Sequence, residues 1–214
     1  MARNLGALDT DIYAITAEDY SRGRSNLEVV PALIRAGVRL IQYREKEKSV
    51  RAKYYECLAL RELTAAAGVA LMVNDQVDLA LAVGADGVHL GQDDLPAEKA
   101  RDLVGEELLI GLSTHSPEQA RAALKTGAVD YIGVGPLFAT STKKDVVAPV
   151  GLGYLDYVVE NIPLPFVAIG GIKEHNIAEV RRHGARLIAM VTEIVGAPDI
   201  EEKIRSLRVA LATS

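Results

Sequence analysis

Acidic and basic side chains stand at the ends of short apolar runs in this chain. Asp75 closes one such run, Asp94 follows a second, and Arg44 and Lys46 follow a third. Two carboxylates together with phosphate oxygens are ligands that suit Mg2+, while guanidinium and ammonium groups neutralise phosphate oxygens. These residue types therefore indicate a site for a magnesium-bound diphosphate.

The metal site depends mainly on Asp75. Asn74 and Asp75 put two polar groups at the end of a fully apolar run, which favours a binding role. Asp94 precedes a leucine and a proline, where an aspartate would equally suit the N-cap of a helix. Asp93 is a second candidate for the same ligand position.

Gln42, Arg44 and Lys46 form an alternating polar stripe. In a strand and its extension, alternate residues point to the same side, so the three side chains would face one ligand. The alternative is a solvated loop, because residues 45, 47 and 48 are also charged. Gln42 favours the binding site, since an apolar run has no packing reason to contain it.

Hydroxyl and glycine residues follow other apolar runs. The basic segment 135–144 contains Thr140, Ser141, Thr142 and Lys143. We expect a phosphate-binding loop or lid there, with residues 136–145 closing over the site, and an ordinary surface loop is the alternative. Ser113, Gly171 and the pair Val191-Thr192 end further runs, and glycine would let backbone N–H groups approach a phosphate. A tight turn is the alternative for the glycines.

Eight β-rich runs have to position these side chains. They lie near residues 11–17, 39–44, 70–75, 87–91, 109–114, 131–136, 166–171 and 187–192. Helical spacing occurs between them, for example at 27–34, 52–66, 97–104, 117–124 and 177–182. Alternating strands and helices predict a parallel sheet. A repeated helix–glycine–strand junction favours a single (β/α)8 TIM barrel over a doubly wound sheet, which would carry Gly-x-Gly-x-x-Gly after its first strand. A barrel gathers all strand C-termini into one pocket.

Composition limits the class of protein. The 214 residues, 49% of them hydrophobic, are expected to form one domain over 1–214, with 1–10 a short N-terminal extension. A net charge of −5 argues against a nucleic-acid surface. No run reaches the length of a membrane span and no signal peptide is recognisable, so we expect a cytoplasmic protein without membrane contact. A homo-oligomer is compatible with the sequence but cannot be read from it.

The single cysteine and the histidines indicate no other chemistry. Cys57 lies in a helical segment and is expected to be a packed, inert thiol. His89 falls within an apolar run and is expected to be packed. His115 could face the pocket, but we do not expect it to act as a catalytic base. The histidines lack the spacing of a zinc site.

The ordered clusters resemble the thiamine phosphate synthase family over about residues 11–196. The family's Gln-x-Arg-x-Lys matches Gln42, Arg44 and Lys46, its Asn-Asp matches 74–75, and its Gly-Gln-x-Asp matches 91–94. Its Gly-Pro-x-Phe-x-Thr-x-Thr-Lys matches 135–143, and its Ile-Gly-Gly-Ile matches 169–172. One departure is Thr192-Glu193, where the family more often has two small residues such as Ser-Ala.

The resemblance implies two phosphorylated small-molecule substrates. It implies that the pyrimidine diphosphate is bound by Gln42, Tyr43, Arg44, Glu45, Lys46, Asn74, Ser113 and Lys143. It implies that Mg2+ is held by Asp75 and Asp94. It implies that the thiazole phosphate, or its carboxylated form, is bound by Thr140, Ser141, Thr142, Gly171, Val191 and Thr192.

The family's reaction is a Mg2+-dependent condensation. Loss of diphosphate leaves a pyrimidine cation that the thiazole nitrogen captures, so stabilising the leaving anion is the main task. The resemblance assigns that catalytic task to Arg44, Lys46, Ser113 and Lys143. The alternatives are a related thiazole tautomerase, a catalytically silent barrel that binds precursors, and another phosphate-binding barrel. Glu193 puts a carboxylate near the second phosphate, which would weaken that site.

Overall fold

Eight parallel strands close into a barrel in the computed structural model, which describes residues 10–140, 142 and 148–212. The strands are β1 (Ile12–Ile15), β2 (Leu40–Tyr43), β3 (Ala70–Asn74), β4 (Gly87–Leu90), β5 (Leu109–Thr114), β6 (Tyr131–Val134), β7 (Phe166–Ile169) and β8 (Ile188–Met190). Each strand pairs with the next in sequence, and β8 pairs with β1. The predicted (β/α)8 barrel is therefore confirmed.

Helices follow the strands and surround the barrel. They are α1 (Asn26–Arg35), α2 (Val50–Ala66), α3 (Val77–Val83), α4 (Ala97–Val104), α5 (Pro117–Thr126), α6 (Gly151–Asn161), α7 (Ile177–Arg182), α8 (Thr192–Val195) and α9 (Ile200–Ala212). Ser49 and Ser116 cap α2 and α5 by accepting backbone N–H groups of the first turn. Gly84 and Gly127 end α3 and α5 with φ of 64° and 65°, as the repeated junction predicts.

The apolar residues form two layers. Alternate residues of the strands point into the barrel, where Tyr13, Leu40, Met72 and Tyr131 are almost completely buried. The other residues of each strand pack against the helices in a larger outer layer. This division fixes which side of each strand reaches the barrel interior, and so which residues line its open end.

Aspartate–arginine pairs tie the N-terminal ends of the strands to the helices. Asp130, just before β6, accepts hydrogen bonds from Arg101 of α4 and from the backbone N–H of Ile110. Asp86, just before β4, accepts hydrogen bonds from the Arg61 guanidinium at 2.7 Å and from the backbone N–H of Leu71 at 2.8 Å. These carboxylates satisfy backbone donors at the barrel end remote from the predicted site.

Cys57 packs in the outer layer with no exposed surface, which confirms the predicted packed thiol. Burial, helped by the nearby Glu56 carboxylate, raises its pKa to about 12. The thiolate needed for reactivity is therefore scarce at neutral pH. Within the described part of the chain, the helices are too short or too polar to cross a membrane. The expected N-terminal extension falls largely on residues 1–9, which are outside the described residues.

Candidate active site

A pocket of about 580 Å³ opens at the C-terminal ends of the strands. This volume suits a small-molecule ligand. Ten of the site residues predicted from sequence line it: Gln42, Arg44, Asn74, Asp75, Ser113, Thr140, Thr142, Gly171, Val191 and Thr192. The polar clusters that are far apart in sequence thus meet in one cavity, as the barrel topology predicts.

Asp75 and Lys46 meet at one side of the pocket mouth. The Lys46 ammonium lies 3.5 Å from Asp75 Oδ2, and the side chain of Lys46 is 56% exposed. Asp75 has a left-handed backbone with φ of 61°, and its N–H donates to the carbonyl of His89 at 2.8 Å. The backbone after β3 therefore turns sharply and directs the Asp75 carboxylate to the pocket that Arg44 also lines.

Asp94 lies behind Gly91 at the same side. Its Oδ2 accepts the N–H of Gly91 at 2.6 Å, which closes the turn after β4. Helix α4 begins at Ala97 with Pro96 as its N-cap, so the alternative that Asp94 caps this helix is wrong. Asp94 is half-buried, whereas Asp93 is exposed. Neither Asp93 nor Asp94 is among the residues that line the pocket, and Asp94 is connected to it through its hydrogen bond with Gly91.

The pocket floor is a chain of hydrogen bonds inside the barrel. Gln42 donates to the Tyr13 hydroxyl at 2.9 Å, which contacts the Tyr131 hydroxyl at 3.2 Å. The Tyr131 hydroxyl lies 2.9 Å from His89 Nδ1, and His89 Nε2 lies 3.0 Å from Ser113 Oγ. Burial raises the pKa of both tyrosines, which keeps their hydroxyls protonated. The chain connects two predicted ligand-binding residues, Gln42 and Ser113.

The interpretation of His89 as a packed residue is wrong. Its ring lines the pocket and bridges Tyr131 and Ser113. Tyr13 and Tyr131 were not predicted as site residues at all. Their alternation along the strands was the signal that could have found them. Ile15 pairs with Gln42, which points inward, and Tyr13 lies two residues before Ile15 and therefore points inward as well. His115 also lines the pocket, with Nδ1 donating to the carbonyl of Gly135 at 2.5 Å.

The structure does not bring the side chains of Tyr43 and Glu45 into the pocket. The Tyr43 hydroxyl donates to Glu56 of α2 at 2.7 Å, on the outer side of β2. Glu45 accepts hydrogen bonds from the backbone of Glu18 and from Asn26. Adjacent residues of a strand point to opposite sides, so the neighbours of Gln42 and Arg44 hold the loop from outside.

Thr140, Thr142 and Gly171 form the opposite wall of the pocket. The hydroxyls of Thr140 and Thr142 lie 3.1 Å apart. Gly171 has φ of 66°, and a Cβ there would come within 2.6 Å of the Ala139 carbonyl oxygen. Only glycine therefore allows this turn to approach the 138–139 segment so closely. The predicted residues Ser141 and Lys143 lie outside the described residues, as do residues 144 and 145 of the expected 136–145 lid.

A polar pocket on the C-terminal face of a (β/α)8 barrel is the usual active-site position of enzymes with this fold, which act on small molecules in many different reactions. Comparison with known proteins gives the family. The sequence profile described as Thiamine monophosphate synthase matches residues 12–194. The chain belongs to this family, and it is a transferase of thiamine biosynthesis.

Relatives agree over nearly the whole chain. The thiamine-phosphate synthase of Pelotomaculum thermopropionicum is 68% identical over 97% of this chain and 94% of its own length. That of Lawsonia intracellularis is 56% identical over 96% of this chain and 94% of its own length. The solved thiamine phosphate pyrophosphorylase from Pyrococcus furiosus matches with a TM-score of 0.87 and 35% identity, covering 96% and 97% of the two chains.

Proposed function

We propose that this protein joins an aminopyrimidine diphosphate to a thiazole phosphate, forming thiamine phosphate and releasing diphosphate. The observation that carries the proposal is the shared pocket. Arg44 and Asp75 line one side of it, and Thr140, Thr142 and Gly171 line the other. Two anionic substrates bound at these sides would meet over the polar floor.

The first subsite takes the pyrimidine diphosphate. Its ring lies over the floor, where Gln42 and Ser113 offer hydrogen-bonding groups beside Asn74. Its diphosphate extends toward Arg44 and Lys46, and the family resemblance adds Lys143, which lies outside the described residues. A bidentate guanidinium and two ammonium groups stabilise the negative charge that grows on the leaving group. Tyr43 and Glu45 contribute by holding the loop from outside.

The carboxylates fit a magnesium ion. Asp75 lies in the pocket wall and Asp94 stands behind Gly91, so both are on the diphosphate side. Among the described residues no group of three or more His, Cys, Asp or Glu side chains could hold a metal. Substrate oxygens and water would thus complete the shell, which is the usual manner of Mg2+ binding. When bound, the ion supplies positive charge next to the leaving diphosphate.

The second subsite takes the thiazole phosphate. Thr140 and Thr142 offer hydroxyls to the phosphate from one side, and the family resemblance adds Ser141, which lies outside the described residues. Gly171, Val191 and Thr192 offer backbone N–H groups from the other, and Thr192 adds a hydroxyl. The positive φ of Gly171 supports this assignment, because it turns the backbone toward the pocket without a side chain in between.

The chain's own residues would act by placement and charge. Arg44, Lys46 and Lys143 stabilise the departing diphosphate, and the floor holds the pyrimidine ring that carries the cation. The thiazole nitrogen then forms the carbon–nitrogen bond with its own lone pair, so no general base is required. Both substrates held in one pocket react as if within one molecule, and closure of the 136–145 lid would exclude water.

The decisive test measures diphosphate and thiamine phosphate with purified protein, with and without Mg2+, and with each substrate omitted in turn. We expect equal amounts of both products only when Mg2+ and both substrates are present. Binding of a substrate without product would favour the silent barrel or the tautomerase. Conversion of a sugar phosphate without diphosphate release would favour another phosphate-binding barrel. Either result would overturn the proposal.

A further inference from the structure

Lys173 and Glu193 form an ion pair in the wall of the second subsite. The two side chains line the pocket, and the Lys173 ammonium lies 3.1 Å from Glu193 Oε2. Glu193 is the more buried partner, with 17% of its side chain exposed against 39% for Lys173. The carboxylate is therefore mostly buried, and the lysine is the more exposed partner of a pair that lines both the pocket and a shallow depression beside Glu174 and His175.

Glu193 is held from behind as well. Its Oε1 lies 3.3 Å from the Lys203 ammonium of α9 and accepts the N–H of Glu174 at 3.4 Å. Burial alone would raise the pKa of Glu193, but the hydrogen bond and charge of Lys173, together with the N–H of Glu174 and the charge of Lys203, lower it below its usual value. Lys203 is shared, since its ammonium also lies 2.8 Å from Glu174 Oε2, so Lys173 is the cation that Glu193 does not share with a second carboxylate in this network.

The backbone of Lys173 is fixed independently. The buried Asn176 side chain accepts the N–H of Lys173 at 2.7 Å and donates to the carbonyl of Gly171 at 3.2 Å. One amide therefore clamps the turn that runs from the predicted phosphate ligand Gly171 to Lys173. The turn fixes the backbone position of Lys173, and Glu193 fixes the position of its ammonium group.

We propose that Lys173 is a phosphate-binding cation of the second subsite and that Glu193 is the residue that positions it. This inference rests on the proposed function, because the anion it assigns to Lys173 is the thiazole phosphate. A lone carboxylate at position 193 would repel that phosphate, whereas a carboxylate that holds a lysine at the cavity wall adds a charged hydrogen-bond donor. The unusual Thr192-Glu193 pair then strengthens the subsite.

A purely structural ion pair makes a different prediction. If Lys173 and Glu193 only tie the β7 and β8 loops together, their loss would loosen the pocket mouth and affect both substrates. If Lys173 binds the second phosphate, its loss raises the KM of one substrate only. The contrast between the two KM values therefore separates the two roles.

The experiment compares Lys173→Gln with the wild type and with Lys99→Gln. Lys99 is a matched control, because it forms an exposed ion pair with Asp102 at 2.9 Å on α4, away from the pocket lining. We expect Lys173→Gln to raise the KM for thiazole phosphate about tenfold, as for loss of one charge-assisted hydrogen bond. The KM for the pyrimidine diphosphate and kcat should change less than about twofold, and Lys173→Arg should restore most of the affinity. An unchanged KM, or equal rises for both substrates, would overturn the assignment.

Glu193→Gln tests the positioning role. In the wild-type background it should raise the KM for thiazole phosphate several-fold, although it removes a negative charge. In the Lys173→Gln background it should cause no further rise, because Glu193 then has no ammonium to position. An unchanged or lower KM in the wild-type background would show that Glu193 does not position Lys173.

Inorganic phosphate separates failure of this inference from failure of the proposed function. If the wild type forms no thiamine phosphate, the proposed function fails, and calorimetric titration with inorganic phosphate still tests the cation. Weaker phosphate binding by Lys173→Gln than by Lys99→Gln would support an anion site at Lys173. Equal binding by the two variants would overturn it.

Discussion

The two ends of the barrel use charge in opposite ways. At the N-terminal end, Asp130 and Asp86 pair with arginines of the helices and accept backbone N–H groups of neighbouring strands. At the C-terminal end, Arg44 and Asp75 line an open pocket. Charged side chains at the N-terminal end lie along the barrel wall, whereas those at the C-terminal end face a cavity.

The difference shows how one fold separates stability from activity. The carboxylate of Asp130 is only 10% exposed and its partner Arg101 12%, so their charges are committed to the fold. Lys46, by contrast, is more than half exposed and its ammonium lies 3.5 Å from Asp75, which leaves both within reach of a ligand. Mutations at the two ends should therefore affect different quantities.

The largest effect is expected at the open end, from Asp75→Asn. Asparagine tolerates the left-handed backbone of Asp75, so this change removes the charge with little strain. We expect turnover to fall at least about a hundredfold, which corresponds to about 2.7 kcal/mol of barrier. The thermal midpoint should stay within a few degrees of the wild type. Near-normal turnover at saturating Mg2+ would remove Asp75 from the metal site.

The next effect is expected at the closed end, from Asp130→Ala. This change leaves the largely buried Arg101 without its carboxylate partner and the N–H of Ile110 without its acceptor. We expect the free energy of unfolding to fall by about 2 kcal/mol, while kcat of the folded enzyme changes little. Asp102→Ala, in an exposed pair, is the control and should cost less than about 0.5 kcal/mol. Denaturant titration and kcat are measured on the same variants. A large loss of kcat in folded Asp130→Ala would contradict the separation of stability from activity.

Tyr131→Phe tests the barrel interior between the two ends. It removes the hydroxyl that links Tyr13 to His89, which leaves Ser113 less firmly oriented. We expect kcat/KM for the pyrimidine diphosphate to fall about tenfold. Tyr154→Phe is the matched control, because the Tyr154 hydroxyl donates to Thr114 outside the pocket lining. Equal losses in the two variants would mean that the floor acts only through stability.

The smallest effect is expected from acid. Burial raises the pKa of Glu56, but hydrogen bonds from Lys48 and Tyr43 outweigh it, so the pKa lies below the usual 4.5. A carboxyl whose pKa is lowered by folding stabilises the fold above its unfolded pKa, and this stability disappears as pH falls through the folded pKa. We expect the thermal midpoint to decrease as the pH is lowered below about 4.5. The decrease should be less steep in Glu56→Gln. Identical pH profiles would exclude Glu56 as a contributor.

The architecture was predictable because its signals are local. Each predicted strand overlaps an observed one, since short apolar runs bounded by polar clusters and glycine junctions recur along the chain. Because a barrel gathers the C-terminal ends of its strands on one face, ten predicted site residues meet in one pocket. What could not be predicted depends on pairing between distant strands. His89 and Tyr131 are 42 positions apart, and only the register of the barrel brings their side chains within 2.9 Å.

Direction along a strand explains the remaining misses. Tyr43 and Glu45 share a cluster with Gln42 and Arg44, yet their side chains face the outer layer. Lys173 belongs to none of the predicted clusters, because its place at the pocket depends on the Asn176 clamp and on Glu193 of helix α8, which follows the next strand. The sequence predicted where each strand ends, but it did not predict to which side of the strand every side chain near that end points.

The left-handed backbone conformation of Asp75 limits which residues can replace it without strain. A φ of 61° is readily adopted by glycine, asparagine and aspartate, and other residues occupy it at a cost in strain. Of these three, only aspartate carries a negative charge. A library of all substitutions at position 75, selected for thiamine-independent growth, should therefore return almost only the original residue. Selection for folding alone should also return asparagine and glycine.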